Sequence, residues 1–223
     1  MTKKQKANEV LLRLKQKYPT AECALLWKGQ PWKLLVMGRL SAQCTDARVN
    51  IVSEELFSVY PTARDLADAP LKDIENIIRP CGLFRTKAES IKASCKKLCD
   101  EFDGVLPSDM DTLLTFPGVG RKIANLLRGD IFKMGGIVAD THCIRIASRL
   151  GLTSKDEKDP LRTEKVLTPL IASEEQSDFC HRIVMFGRDT CIARSPQCEK
   201  CVLSDLCAQY KREHKNDKNG SLN

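Results

Sequence analysis

The sequence lacks any long run of apolar residues. No stretch of its 223 residues approaches the roughly 18 consecutive apolar residues that read as a membrane-spanning helix. The beginning of the chain, Met1 to Lys6, is basic and is not followed by an apolar segment of signal-peptide length. We therefore expect a protein that neither spans a membrane nor is secreted, and whose thiols stay reduced.

The sequence also lacks the alternation of apolar and polar residues that marks a half-buried strand, and it shows no internal repeat. Apolar residues recur at helical spacing instead, between short stretches with proline, glycine or aspartate. A chain of 223 residues with 42% hydrophobic content can bury a substantial core in one or two domains. The pattern predicts an all-α fold with helices near residues 7–17, 31–40, 49–59, 71–78, 87–102, 123–127, 141–150, 164–171 and 179–186. A further short helix is expected after Ser108 and Asp109, which are typical N-cap residues.

Positive charge is in moderate excess. The formal net charge is +7, and the isoelectric point lies near 8.8. This balance is compatible with nucleic-acid binding but is weak evidence by itself, because many basic proteins only have solvated lysine faces. The polar, lysine-rich residues 211–223 are predicted to be disordered.

Eleven cysteines are many for this length, and four of them lie within 17 residues near the end of the chain. Cys191, Cys198, Cys201 and Cys207 follow the spacing C-x6-C-x2-C-x5-C. Structural zinc sites usually combine two close cysteine pairs. Here only one close pair exists, which favours an iron–sulfur cubane with four thiolate ligands over zinc. We expect the other cysteines to be small buried apolar residues: Cys23, Cys44, Cys81, Cys95, Cys99, Cys143 and Cys180.

The stretch from Thr115 to Ala124 reads TFPGVGRKIA and predicts a tight turn between two helices. Gly118 and Gly120 suit such a turn because glycine tolerates positive φ and lets another backbone approach closely. The amide groups at the start of the second helix, near Arg121, would offer a site for a phosphate. A plain connection between two helices explains the glycines as well, so the motif by itself leaves both interpretations open.

A third stretch, VADTH over residues 138–142, places Asp140 at the start of a helix. Its structural role would be that of an N-cap. A capping carboxylate can also act chemically where the helix start faces a cleft. Lys122 lies 18 residues earlier, so Lys122 and Asp140 can meet only if two separate helix starts converge.

Together these segments resemble the endonuclease III family of DNA glycosylases with apurinic/apyrimidinic (AP) lyase activity. The resemblance extends from about Lys4 to Tyr210 and rests on SAQCTD (41–46), GLFRTKA (82–88), FPGVGRK (116–122), VADTH (138–142) and the four final cysteines. It implies two helical domains with a central cleft, a helix-hairpin-helix motif and a C-terminal 4Fe-4S cluster loop. The implied domains are 1–22 with 133–210 around the cluster, and 23–132 as a helical barrel.

The same resemblance implies the roles of individual residues. Lys122 would attack the sugar, Asp140 would assist, Gln43 would fill the gap left by a flipped base, and Leu83 would wedge the opposite strand. Gly118, Gly120, Arg121 and Arg194 would contact DNA, and the ligands of a 4Fe-4S cluster would be Cys191, Cys198, Cys201 and Cys207. From residue type alone, Leu83 could instead be core and Gln43 a solvent-exposed or capping amide.

The implied function is base excision repair. The enzyme would remove oxidised pyrimidines from double-stranded DNA and cleave at abasic sites through a lysine Schiff base. A nucleophilic lysine must be neutral, and a positive helix end and a neighbouring arginine favour the neutral form. The chain is expected to be a monomer in the cytoplasm, associated with the nucleoid if the source is bacterial.

Two other functions fit the sequence less well. A related adenine glycosylase would lack a lysine at position 122 and would carry an acidic residue before Gln43, whereas no Asp or Glu lies between Lys33 and Thr45. A noncatalytic DNA-binding or redox module would not need both Lys122 and Asp140. Arg39 departs from the family pattern by interrupting an otherwise apolar helix, and we expect it to reach the cleft or the surface. Phe116 also departs, because it stands where the hairpin usually has leucine.

Overall fold

The computed structural model describes residues 1–214, and these form an all-helical fold without a strand. The helices are α1 (Lys3–Lys17), α2 (Pro31–Leu40), α3 (Asp46–Val59), α4 (Ala63–Asp68), α5 (Leu71–Ile78), α6 (Phe84–Phe102), α7 (Met110–Leu114), α8 (Arg121–Asp130), α9 (Thr141–Leu150), α10 (Pro160–Leu167), α11 (Gln176–Asp189) and α12 (Ala208–Glu213). Short 3-10 turns lie at Arg79–Cys81, Thr168–Leu170, Ser173–Glu175, Cys198–Lys200 and Ser204–Leu206. The prediction of an all-α fold is confirmed.

Helix starts follow local capping chemistry. Thr2 and Gln5 form a capping box, in which the Thr2 hydroxyl accepts from Gln5 N at 3.2 Å and the Gln5 side chain accepts from Thr2 N at 2.8 Å. Helix α1 therefore begins before the predicted residue 7. Pro31 is the first residue of α2, and Asp109 caps α7, as predicted. Helix α4 was not predicted, although Thr62 forms a capping box with Asp65.

The described chain divides into two compact units. Residues 23–133 form what we call the hairpin unit, and residues 1–22 with the chain from Met134 onward form the cluster unit. The family resemblance implies a boundary one residue earlier, after residue 132. None of the helices of residues 1–214 combines the length and apolar content that a bilayer crossing requires.

Each unit has its own apolar core. In the hairpin unit Leu34, Leu56, Ile74 and Leu98 are fully buried. The core of the cluster unit brings α1 together with α9 and α11 through fully buried residues such as Val10 and Ile146. The hydrophobic effect of each core therefore stabilises its unit separately.

The predicted disordered tail needs a correction. Helix α12 continues to Glu213, so residues 211–213 are helical, while residues 215–223 lie outside the described part of the chain. The helix is supported by packing, because Tyr210 lines a cavity beneath it and stacks on His214 with ring centroids 4.0 Å apart. Its lysine-rich composition gave no sign of these contacts.

The prediction for the seven scattered cysteines is correct in part. Cys81, Cys95, Cys143 and Cys180 are buried. Cys23, Cys44 and Cys99 are only half-buried, although they pack against the core of the hairpin unit. A thiol is small enough to sit at the edge of a core without being enclosed.

Candidate active site and cysteine cavity

The glycine turn between α7 and α8 has the geometry that only glycine accommodates well. Gly118 has φ +77°, and a Cβ there would lie 2.6 Å from Arg39 Nε and 2.9 Å from Ser90 Cβ. Ser94 Oγ donates to Pro117 O at 2.7 Å, which fixes the turn to α6. The side chain of Phe116, 2% exposed, anchors the turn in the core. This turn is therefore a packed structural element and not a loose linker.

Arg39 was expected to reach the cleft or the surface. Its half-buried side chain lies over Gly118, and its Nε donates to Ser90 Oγ at 2.7 Å. Ser90 Oγ in turn lies 2.8 Å from Thr86 O and 3.0 Å from Lys87 O. The arginine thus belongs to the support of the hairpin, because its guanidinium connects α2 to α6 beside the turn.

Lys122 is the second residue of α8 and is exposed. The helix is capped by Gly120, which has no side chain to occupy the first amide groups. Gly120 has φ −99°, and the space on its Cβ side is open. Backbone strain therefore does not require glycine at this position, whereas the open space leaves the helix start accessible to a ligand.

Gln43 and Leu83 are both exposed and both have a left-handed backbone, with φ of +53° and +48°. Such a conformation is uncommon for residues other than glycine. Leu83 is 55% exposed, which excludes the core alternative. The N-cap of α3 is Thr45, which excludes Gln43 as the capping amide of that helix. The structure thus presents an amide and an apolar side chain to solvent on two tight turns of the hairpin unit.

In the cluster unit, Asp140 is the N-cap of α9, as predicted, and its Oδ1 accepts from Cys143 N at 2.7 Å. The residues before it form tight turns, since Asp140 N donates to Val138 O at 2.8 Å. Val138 N donates to the sulfur of Cys180 at 3.3 Å. The half-buried carboxylate is therefore held by its own helix start and by a segment anchored to α11.

The four C-terminal cysteines line one apolar cavity. Leu150, Phe186 and Leu203 contribute to the same wall. No three His, Cys, Asp or Glu side chains of residues 1–214 are grouped as ligands of a single metal ion. Burial and the proximity of the other cysteines raise the pKa of Cys201 to about 11. An iron–sulfur cluster fits this donor set, because it takes four thiolates and its iron compensates their charge.

Cationic side chains hold the segment that carries these cysteines. Arg149 Nη1 donates to the sulfur of Cys191 at 3.3 Å and to Ile192 O at 3.0 Å. Arg13 from α1 donates to Val202 O at 2.9 Å and pairs with Asp205. Leu203 N donates to the Cys201 sulfur at 3.4 Å. Nothing in the sequence pattern marks Arg149 or Arg13 as holding this segment.

Arg194 lies exposed in the loop between Cys191 and Cys198. The structure gives this loop little regular secondary structure, with a 3-10 turn only from Cys198 to Lys200. An exposed guanidinium in such a loop can pair with an anion without reading its sequence context.

Known proteins share these features. Residues 36–172 match the sequence model of the HhH-GPD superfamily of base excision DNA repair proteins. Residues 191–207 match that of the iron-sulfur binding domain of endonuclease III, and they begin and end on Cys191 and Cys207. The first match covers more than half of the chain, which is therefore a base excision DNA repair protein of the HhH-GPD superfamily.

The more similar relatives narrow this class. The chain is 45% identical to endonuclease III of Synechocystis sp., over 92% of this chain and 93% of the relative. It is 38% identical to endonuclease III of Bacillus subtilis, over 89% and 90%. A solved complex described as a trapped endonuclease III–DNA covalent intermediate has a TM-score of 0.88 at 41% identity, covering 96% of this chain and 99% of that chain.

The chain belongs to the endonuclease III family of DNA glycosylases and AP lyases. It is accordingly a DNA-binding enzyme of base excision repair with a 4Fe-4S cluster as its cofactor.

Proposed function

We propose that the enzyme removes oxidised pyrimidines from double-stranded DNA and then cleaves the strand 3′ to the abasic site by β-elimination. Lys122 is the nucleophile, and Asp140 assists departure of the base. The protein works as a monomer on damaged bases and abasic sites. The observation that carries the proposal is the exposed Lys122, two residues after the glycine that caps α8.

The position of Lys122 suits a nucleophilic amine. The open start of α8 leaves the side chain of Lys122 accessible to a ligand. The relative in the solved complex is described as a covalent intermediate with DNA. A lysine at an accessible helix start offers the nucleophile that such an intermediate requires.

The reaction begins when the damaged nucleotide leaves the base stack, which costs a few kcal/mol and less at a damaged pair. The amine nitrogen of Lys122 then bonds to the sugar C1′ while the bond from C1′ to the base breaks, and the base departs as it gains a proton. Ring opening gives a Schiff base. Loss of a C2′ proton breaks the bond to the 3′ oxygen, and water finally releases the lysine.

We assign Asp140 two roles: it assists departure of the base, and it stabilises the positive charge that develops on the sugar. Its Oδ1 accepts the capping hydrogen bond from Cys143 N, so we assign Oδ2 to the substrate. A carboxylate can act there electrostatically or as a proton carrier.

The DNA contacts are divided between two kinds of residue. Gln43 fills the gap left by the flipped base, and Leu83 inserts into the opposite strand, since an amide can pair with an orphaned base and an apolar side chain can unstack a step. Backbone phosphates are bound by the hairpin through Gly118, Gly120 and Arg121, and by Arg194.

We assign the cluster to Cys191, Cys198, Cys201 and Cys207. When bound, it supplies metal–thiolate bonds that organise the segment carrying Arg194.

Borohydride trapping on a duplex that contains thymine glycol tests the proposal. The unmodified chain should give a covalent protein–DNA adduct, and Lys122→Ala should give none. Lys72→Ala is the matched control, because Lys72 is also an exposed second residue of a helix in the same unit. An adduct that persists in Lys122→Ala would refute the assignment. The absence of an adduct from the unmodified chain, with DNA binding intact, would refute the lyase mechanism.

A further inference from the structure

We propose that Lys87 is a positioning residue that holds the two turns carrying Gln43 and Leu83 in the geometry needed to invade DNA. The inference rests on the proposed function, because it takes those two side chains as the ones that enter the duplex. Lys87 lies in α6, and its side chain is completely buried. A buried lysine is rare unless its amine has partners.

The amine of Lys87 has two backbone partners. Its Nζ donates to Leu40 O at 2.8 Å and to Cys81 O at 2.8 Å. Leu40 is the last residue of α2, and Cys81 is the last residue of the 3-10 turn Arg79–Cys81. Carbonyl groups at helix ends have no partner within the helix, so a buried donor is needed to satisfy them.

Both carbonyls immediately precede the DNA-invading turns. Gln43 follows Leu40 by three residues, and Leu83 follows Cys81 by two. Because the same amine binds both carbonyl groups, one side chain fixes the starting points of two turns that are 40 residues apart in the sequence. A residue keeps a left-handed backbone only where the surrounding structure holds it there. The hydrogen bonds of Lys87 provide this constraint for both Gln43 and Leu83.

Packing alone does not explain why a lysine occupies position 87. Burial lowers the pKa of Lys87, which shows that the site disfavours its charged form. A methionine of similar length would fill the space but would leave both carbonyls without a donor. The amine therefore serves the backbone of the two turns, and accurate placement of Gln43 and Leu83 is what this contact provides.

The same helix contains a matched control. Lys92 also donates its amine to a backbone carbonyl, that of Ala69, the C-cap of α4. Neither α4 nor its end carries a proposed DNA-contact residue. Lys92→Met therefore removes a lysine–carbonyl bond from the same unit while leaving both invading turns untouched.

The test compares single-turnover rates on two substrates, each relative to the unmodified chain. On a thymine glycol duplex, Lys87→Met should lower the excision rate by up to about 100-fold, since misplacement by about 1 Å can have this effect. Strand cleavage at an abasic site in a single-stranded oligonucleotide should change much less, because it has no stack to invade. Lys92→Met should leave the ratio of the two rates unchanged. Folding is followed by thermal unfolding and by the visible absorbance of the cluster.

Two further variants keep the inference testable. Lys87→Gln retains a hydrogen-bond donor, so it should lose less activity on the duplex than Lys87→Met. If Lys87→Met fails to fold, Lys87→Gln tests the inference in its place. In the Gln43→Ala, Leu83→Ala background, Lys87→Met should have little additional effect, because coupled residues are not additive.

Equal loss on both substrates, or full additivity, would reduce Lys87 to a structural role and overturn the inference. A chain that gives no covalent adduct at all would instead overturn the proposed function, so the two failures are distinguishable.

Discussion

The hairpin unit and the cluster unit hold their functional segments by different means. In the hairpin unit, tight turns at Gln43, Leu83 and Gly118 are fixed by buried or half-buried side chains from a regular helix, α6. In the cluster unit, the segment from Cys191 to Cys207 has only 3-10 turns and is held by arginines that donate to its carbonyl groups and to a sulfur.

The two units differ in which interactions keep their functional segments ordered. The turns of the hairpin unit are held by side chains of its packed core. The cysteine segment surrounds a cavity lined by the four proposed cluster ligands, so we expect its order to depend on the cluster. We thus expect packing to organise one unit and coordination chemistry the other, and the following predictions test that contrast.

The largest effect is expected at a helix cap that we also propose to act in the chemistry. Asp140 and Asp109 are both N-caps, one in each unit. Asp140→Asn should reduce base excision by about 100-fold or more, because it removes the carboxylate. Asparagine caps helices about as well as aspartate, so stability should change little. Single-turnover kinetics and thermal unfolding measure the two effects separately.

Asp109→Asn is the corresponding control. We expect full activity from it, because Asp109 caps α7 without a proposed role in the chemistry. Equal losses in the two variants would show that capping alone explains the importance of Asp140.

Removal of a proposed cluster ligand should affect only one unit. In Cys198→Ser we expect fast hydrogen exchange from residue 191 to 207, because its 3-10 turns bury few backbone groups. Amides of α6 should keep their protection, since the core of the hairpin unit does not include this segment. Hydrogen exchange with mass spectrometry resolves the two regions. A loss of protection throughout α6 would contradict independent ordering of the units.

A smaller effect is expected from Arg149, whose guanidinium donates to the Cys191 sulfur. Arg149→Gln should weaken retention of the cluster by about tenfold, the usual consequence of losing a partner of a metal ligand. The rate at which a chelator bleaches the cluster gives the measurement. Arg162→Gln is the control, because Arg162 is exposed in the same unit and pairs with Asp159. Equal bleaching of both variants would exclude a specific role for Arg149.

The last prediction concerns a buried cysteine of the hairpin unit, which should hardly react and has no role in the chemistry. Burial raises the pKa of Cys95 from 9.0 to about 12. At pH 8 its thiolate should thus be about a thousandfold scarcer than that of an ordinary cysteine, and alkylation correspondingly slow. Reactivity should rise with pH, because only the deprotonated form attacks. Mass spectrometry of iodoacetamide-treated protein between pH 7 and 9 provides the measurement, with the half-buried Cys44 as internal reference. Rapid labelling of Cys95 in folded protein would show that the hairpin core opens.

Features with a local cause could be predicted from the sequence. The glycine turn, the caps at Asp109 and Asp140 and the start of α2 at Pro31 all depend on residues within one helical turn. The segment of four cysteines was recognisable for the same reason, since its spacing lies within one short stretch. Helix lengths were less accurate, because α6 and α8 extend beyond their apolar periodicity.

Contacts between distant segments could not be predicted. Lys87 occupies a position in α6 where composition suggests a solvated lysine, and only the ends of α2 and the Arg79–Cys81 turn make it a buried donor. Arg39 looked like an interruption of an apolar helix, whereas its function depends on Ser90 and Gly118, 51 and 79 residues away. Single-sequence periodicity contains no information on such partners.

The cluster unit is assembled from two segments that the hairpin unit separates in the sequence, and this affects its synthesis. Helix α1 is made before the hairpin unit, whereas its core partners on α9 and α11 follow only after that unit has been made. At the usual rate of translation, the apolar side of α1 waits on the order of ten seconds for them. During that time Val10 and Leu14 have no core to enter, so α1 exposes an apolar side that a chaperone can bind.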